Sequence, residues 1–243
     1  QSRNGSNGAL LRPSICTFPQ PSAARTVSLL TITVVSTLRM TSFTLVAPEP
    51  ANLSDTDAVL IDTRPATDYW PAHLPGARHL DPSLLTLQRT DGPSIARFQA
   101  LLTWSLSALG IGTDSRVLIY GAAAEANVSR VAWALGYAGV AQIRLLDGGL
   151  AALGAVELTS EAPLFQAKPF KIHAVTSFLA TAEQAQAAGD ASQAGQLVDA
   201  REHDEFLGLR SNARRNGRIP GAVFWDARKE VDARGRFRAA NDL

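Results

Sequence analysis

Four arginines lie close together in the second half of the chain and are its clearest candidates for binding chemistry. They are Arg210, Arg214, Arg215 and Arg218. Guanidinium groups donate several hydrogen bonds in one plane, an arrangement that suits an anion. A solvated basic loop has the same composition. The sequence therefore leaves an anion site and a solvated loop as the two interpretations of this cluster.

Nucleophilic thiol chemistry has one candidate in the whole chain, Cys16. A single cysteine excludes an internal disulfide and a zinc site built from cysteines, and it is typical of a reducing compartment. The chain also has neither a Gly-x-Gly-x-x-Gly motif nor a P-loop. We therefore expect no metal and no other cofactor.

Two short blocks occur twice, in the same order. Asp62-Thr63-Arg64 is followed by His73-Leu74-Pro75-Gly76-Ala77, and Asp199-Ala200-Arg201 is followed by Arg218-Ile219-Pro220-Gly221-Ala222. The aspartates are 137 residues apart (199 − 62) and the prolines 145 (220 − 75). Solenoid repeats have periods of roughly 20–50 residues. The spacing predicts two copies of one whole domain.

Alternating strands and helices must position these blocks. Short apolar runs predict buried parallel strands, and these runs are Ala58–Asp62, Val117–Tyr120, Ile143–Leu146 and Gln196–Asp199. Helical spacing of apolar residues predicts helices between them, at 97–109 and 129–135, and an alanine-rich run predicts another at 175–188. The pattern favours an α/β fold, a parallel sheet flanked by helices on both faces.

The composition, 46% hydrophobic and 19% charged, is typical of a globular protein, and the net charge of +1 favours no nucleic acid partner. Residues 1–39 differ because they contain arginines but no acidic residue. Their apolar run, Val27 to Leu38, is too short to span a membrane as a helix. A targeting peptide and an upstream stretch ahead of an initiating Met40 both fit. We expect a cytoplasmic protein, or a mitochondrial one if residues 1–39 are a transit peptide.

The segment from Tyr69 to Leu80 resembles the signature of the rhodanese family: an aromatic residue, His, Pro-Gly-Ala and an aliphatic residue at the family's spacing. Asp62-Thr63-Arg64 and Leu146-Asp147-Gly148-Gly149 resemble that family as well, and the second set of blocks resembles the start of another unit. The whole is similar to a tandem sulfurtransferase of the thiosulfate or 3-mercaptopyruvate type. Composition predicts a leader at 1–48 and a linker at 155–172, and the resemblance implies a non-catalytic domain at 49–154 and a partial second domain at 173–243.

The resemblance also implies a cysteine persulfide, carried in a loop between a strand and a helix, that passes sulfur from a small anionic donor to a thiol or cyanide. Gly121 stands at that position in the first copy. It lies 46 residues after Pro75, and the same spacing from Pro220 gives about position 266, beyond Leu243. We therefore expect no catalytic residue in this chain.

Among the arginines, the resemblance places Arg214, with Arg215 as the near alternative, against the anionic group of the donor. We interpret Asp62, Arg64, His73, Asp199 and Arg201 as scaffold, together with Arg130 on the helix after Gly121. Two other functions compete with sulfur transfer. A non-catalytic rhodanese-like module for binding or regulation fits Gly121, and a phosphatase-type relative would need a His-Cys…Arg loop that the chain lacks.

Overall fold

The first copy is built on a five-stranded parallel sheet. The computed structural model describes residues 41–123, 125–190, 197–211 and 213–239. The strands are β1 (Ser42–Val46), β2 (Ala58–Asp62), β3 (Arg78–His79), β4 (Arg116–Tyr120) and β5 (Gln142–Leu146), in the order β1-β5-β4-β2-β3. Every neighbouring pair is parallel. This confirms the α/β class expected from the sequence.

Helices and loops cover both faces of this sheet. The helices are α1 (Ala66–Tyr69), α2 (Gly92–Ala108), α3 (Ala126–Ala138) and α4 (Gly149–Ala152). Successive residues of β4 point to opposite faces, so Val117 and Ile119 pack with α2 and α3 while Leu118 and Tyr120 pack on the other side. All four are fully buried. A strand buried on both faces has a continuous apolar run, which is why the sequence predicted β4.

Helix α2 begins earlier than the expected 97–109 because its start is specified by capping. The Asp91 side chain accepts a hydrogen bond from the Ser94 amide at 2.9 Å, and Pro93 occupies the first turn. Apolar spacing marks only the buried part of a helix, and this polar first turn lies outside it.

The first strand corrects the predicted leader of residues 1–48. Ser42–Val46 pairs along its whole length with β5, so the first domain begins before residue 49. The strand lies at the edge of the sheet, and four of its five residues are exposed. It therefore lacks the continuous buried run that marks the central strands. Residues 1–40 of that leader, including Cys16, lie outside the described residues.

The segment expected to be a linker, residues 155–172, lies along the first copy. We call residues 159–175 the strap. Thr159 forms an antiparallel bridge with His73, and the Lys168 amide donates to the Ser107 carbonyl at 3.0 Å. Phe170 is buried, and its amide donates to the Ser107 hydroxyl at 2.9 Å. The strap is an outer layer of the first copy rather than a free connection.

The second copy repeats the start of the first. It contains α5 (Ala182–Asp190), β6 (Val198–Asp199), α6 (His203–Phe206) and β7 (Val223–Phe224), with β6 and β7 parallel. Asp199 pairs in register with Phe224, as Asp62 of β2 pairs with His79 of β3. Helix α5 begins later than expected, since residues 176–178 form a 3₁₀ turn instead. In the part of the chain that the structure describes, none of the helices combines the length and apolarity needed to cross a membrane.

Candidate functional site

The Asp-x-Arg block of the first copy is a buried ion pair. The Arg64 Nη2 atom lies 2.7 Å from Asp62 Oδ2, and the Arg64 amide donates to Asp62 Oδ1 at 2.9 Å. Asp62 is fully buried and Arg64 is 9% exposed. Burial lowers the pKa of Arg64, but the hydrogen bond and charge of Asp62 outweigh it, so the pKa lies above its ordinary value. Arg64 also donates to the Ala72 carbonyl and so fixes the turn before His73.

The second copy repeats this pair near solvent. Arg201 Nη2 lies 2.6 Å from Asp199 Oδ2, and the Arg201 amide donates to Asp199 Oδ1 at 3.1 Å. Arg201 is 41% exposed, unlike Arg64. The hydrogen bond from Arg201 lowers the pKa of Asp199 despite partial burial. Arg201 also donates to the Gly217 carbonyl at 2.8 Å, so the pair shapes the loop that carries the basic cluster.

His73 is a structural residue. It is buried and stacks on Tyr69 with 4.1 Å between ring centroids. Its Nδ1 lies 2.8 Å from the Tyr69 carbonyl oxygen and its Nε2 lies 3.1 Å from that of Glu161. Both ring nitrogens therefore face backbone carbonyls, and one of those carbonyls belongs to the strap.

The loop after β4 lies where the sheet would place a ligand. The connection from β2 leads to β3 on one side, and that from β4 leads to β5 on the other, so the carboxyl ends of β2 and β4 flank a topological switch point. Gly121 follows β4 directly, and helix α3 begins at Ala126. Helix α4 supports the loop, because the Leu150 amide donates to the Gly121 carbonyl at 2.9 Å.

A side chain of the protein itself fills this loop. The amides of Ala122 and Ala123 both donate to Glu125 Oε1, at 2.7 and 3.3 Å. Successive amides at a helix start are suited to hold an anion, and here the anion is internal. A Cβ atom at Gly121 would lie 2.8 Å from the same oxygen. The carboxylate therefore occupies the space into which a side chain at position 121 would extend, an occupant that the sequence analysis missed.

This arrangement predicts the behaviour of a thiol placed at position 121. In a Cys16→Ser background, Gly121→Cys should react with iodoacetamide at pH 7 about 10-fold more slowly than Gly121→Cys/Glu125→Gln, because the carboxylate disfavours a neighbouring thiolate by about one pKa unit. The measurement is the pH profile of alkylation by mass spectrometry. Glu157→Gln, an exposed change elsewhere in the first copy, is the matched control. Equal rates with and without Glu125 would contradict the contact.

The four arginines of the basic cluster separate into two pairs. Arg210 forms a salt bridge with Glu202, and Arg218 stacks on Phe206 at 4.4 Å. Arg214 and Arg215 are exposed. Of these two candidates, Arg215 lines an open pocket of about 770 Å³, whereas Arg214 is not among the residues that line it. Arg218 belongs to the same cluster but was not one of the two arginines assigned to the donor, and it lines the pocket as well.

The pocket in the second copy combines apolar walls with a cationic rim. It lies between the end of β6 and residues 215–222, with Leu197 and Ile219 among its apolar lining residues. Asp199 also lines it, but Arg201 neutralises that carboxylate. Arg215 and Arg218 add positive charge beside this paired carboxylate. A volume of several hundred Å³ with a few charged groups is typical of a small-molecule site, and the positive charge suits an anion.

Comparisons with known proteins identify relatives of this chain. A family model described as a rhodanese-like domain matches residues 49–155. The thiosulfate sulfurtransferase of Azotobacter vinelandii is 27% identical over 196 residues, which cover 79% of this chain and 72% of that protein.

Two solved structures share the fold. One is of a probable thiosulfate sulfurtransferase, 30% identical, with a TM-score of 0.57 and 70% of each chain covered. The other is the 3-mercaptopyruvate sulfotransferase SseA from Escherichia coli, 21% identical, with a TM-score of 0.68, 83% of this chain and 81% of that chain covered. The duplicated blocks, the parallel sheet and these relatives lead to one conclusion: the chain belongs to the rhodanese family of sulfurtransferases.

Proposed function

We propose that the protein is part of a two-copy sulfurtransferase that moves sulfane sulfur from thiosulfate or 3-mercaptopyruvate to a thiol or cyanide acceptor. The observation that carries the proposal is a division between the copies. The first has Gly121 and an internal carboxylate in the nucleophile loop, whereas the second has a pocket between β6 and residues 215–222 that Arg215 and Arg218 line. We place the nucleophilic cysteine in the second copy, beyond residue 243.

The proposed chemistry needs a thiolate and a site for an anion. The thiolate attacks the sulfane sulfur and forms a persulfide, while the donor leaves with the electron pair of the bond that it loses. The acceptor then takes the outer sulfur and restores the thiolate. Residues 1–243 supply the anion site in this scheme, since the only thiol, Cys16, lies ahead of both copies.

We assign donor binding to Arg215, with Arg214 beside it. Arg215 lines the pocket and is exposed, so its guanidinium is accessible to an anion. Arg218 is held on the Phe206 ring and contributes charge from a fixed position. Support for Arg214 is weaker, because it does not line the pocket.

Two measurements test the proposal. Purified residues 1–243 should show no thiosulfate:cyanide transfer above the uncatalysed rate. They should bind thiosulfate in calorimetry, and Arg215→Ala should weaken that binding about 10-fold, while Arg97→Ala on α2 leaves it unchanged. Clear turnover by this chain would overturn the argument from the missing thiol, and equal affinity in Arg215→Ala would overturn the assignment of the donor site.

A binding or regulatory module without catalysis is the second candidate, and the Glu125 carboxylate in the loop favours it for the first copy. The full-length gene product distinguishes the two. Sulfur transfer that is lost when a cysteine after residue 243 is replaced supports the enzyme, and the absence of any such cysteine supports the module. We also propose a cytoplasmic location, which fractionation of cells producing the full-length protein would test.

A further inference from the structure

The second copy has little core of its own. No described residue between 197 and 239 is buried, whereas the first copy has a large buried core. Apolar residues on its strands, such as Val198 and Val223, are more than half exposed. Because burial of apolar surface is the main source of stability, this copy gains little stability from a core of its own, and contacts with the first copy add to its order.

One contact with the first copy is made by a hairpin, residues 231–237. Val231 and Phe237 form an antiparallel bridge, and the Asp232 side chain accepts hydrogen bonds from the amides of Arg234 and Arg236, at 2.8 and 3.0 Å. These bonds, that from Arg236 above all, lower the pKa of Asp232. The hairpin follows the 3₁₀ turn Ala227–Glu230, which comes shortly after β7.

The hairpin lies against the first copy at Asp147 and Gly148. The Phe237 amide donates to Asp147 Oδ1 at 2.9 Å, a hydrogen bond between residues 90 positions apart. Arg236 lies over Gly148 so closely that a Cβ atom there would be 2.9 Å from Arg236 Cγ. Gly148 is buried with a φ of +78°, which suits glycine.

Asp147 and Gly148 lie at the carboxyl edge of the first sheet. They follow β5 directly, and the next residue, Gly149, begins the helix that supports the Gly121 loop. The edge that would serve catalysis in an active copy is therefore occupied, on this side, by a segment of the second copy.

We infer that Asp147 and Gly148 form an intramolecular docking site for the second copy, and that Asp147 is a positioning residue that keeps the 231–237 hairpin ordered. The first copy, which has no nucleophile, acts in this way as the support of the copy that carries the cationic pocket. The inference depends on the contact and not on sulfur transfer, so it can fail or hold independently of the proposed function.

Hydrogen–deuterium exchange on residues 1–243 tests the docking site. Asp147→Ala removes the acceptor, and the amides of residues 231–239 should then exchange about 10-fold faster. Asp147→Asn keeps an oxygen acceptor at the same position and should restore most of the protection. Asp68→Ala, an exposed carboxylate elsewhere in the first copy, should leave these amides unchanged.

Arg236→Ala provides a second approach from the hairpin side, where a change does not touch the core of the first copy. It should accelerate exchange in residues 231–239 several-fold while the amides of β4 keep their protection. If Asp147→Ala also accelerates exchange of the β4 amides, it has disturbed the core of the first copy. The Arg236→Ala variant then tests the docking site. Unchanged exchange in Arg236→Ala, or failure of Asp147→Asn to restore protection with β4 intact, would overturn the inference.

Discussion

Asp62→Ala should lower the free energy of unfolding of the first copy by about 3–5 kcal/mol, because it leaves the Arg64 guanidinium buried without its partner. Asp199→Ala should lower the free energy of unfolding of the second copy by only about 1 kcal/mol, since Arg201 is 41% exposed and water can replace the lost carboxylate. Urea unfolding measures the difference, with exchange of the β4 amides as the reporter of the first copy and of the β6 amides as the reporter of the second.

A double substitution within the first copy is the control for this experiment. Asp62→Leu/Arg64→Met removes both charges and should be less destabilising than Asp62→Ala, because no buried charge remains unpaired.

At Asp199, the hydrogen bond from Arg201 lowers the pKa of the carboxyl group in the folded protein. Its contribution to stability is therefore present above the ordinary carboxylate pKa and is lost as the pH falls through the lowered value. Equal losses from Asp62→Ala and Asp199→Ala would show that burial does not set the difference.

Gly110→Ala should destabilise the first copy by about 2–5 kcal/mol. Gly110 has a φ of +64°, and a left-handed conformation disfavours alanine by about 1–2 kcal/mol. A Cβ atom at this position would also collide with the Gln166 carbonyl oxygen of the strap, and overpacking typically adds about 1–3 kcal/mol. Urea unfolding gives the total, and limited proteolysis within residues 159–175 shows whether the strap is released.

Gly154→Ala is the matched control for this change. Its φ of +68° is almost the same, but nothing lies within 4 Å of a Cβ atom there. It should show the conformational part alone, and the strap should stay protected. Gly139→Ala should behave like Gly110→Ala, because its Cβ would lie 2.7 Å from the His173 carbonyl oxygen. If Gly110→Ala and Gly154→Ala were equally stable, the strap would not be packed as the structure has it.

The central strands could be predicted from the sequence because a strand buried on both faces has a continuous run of apolar residues. Strand β2 has the predicted bounds, Ala58–Asp62, and β4 and β5 differ from their predictions by one residue. Strand β1 has no such apolar run, since it is an exposed edge strand whose partner, β5, lies about a hundred residues away in the sequence. The strap is held through backbone groups such as the Ser107 carbonyl, which side-chain composition does not reveal.

The candidate site was predictable to a similar degree. Repeated motifs located the Asp-x-Arg pairs, and the local density of arginines located the basic cluster. Spacing alone could not separate Arg214 from Arg215, because their place relative to the pocket depends on how the loop folds. Glu125 was missed because its role depends on two amide groups three and two residues before it, and no residue type is needed to supply an amide.

The Glu125 carboxylate also bears on how the two copies can diverge. A cysteine regained at position 121 would meet a neighbour that opposes its ionisation and competes for the same two amides. On the proposed function, a cysteine at position 121 alone would therefore not supply the thiolate that sulfur transfer needs. The proposed division of labour between the copies is thus protected against reversal, because Gly121 and Glu125 would have to change together.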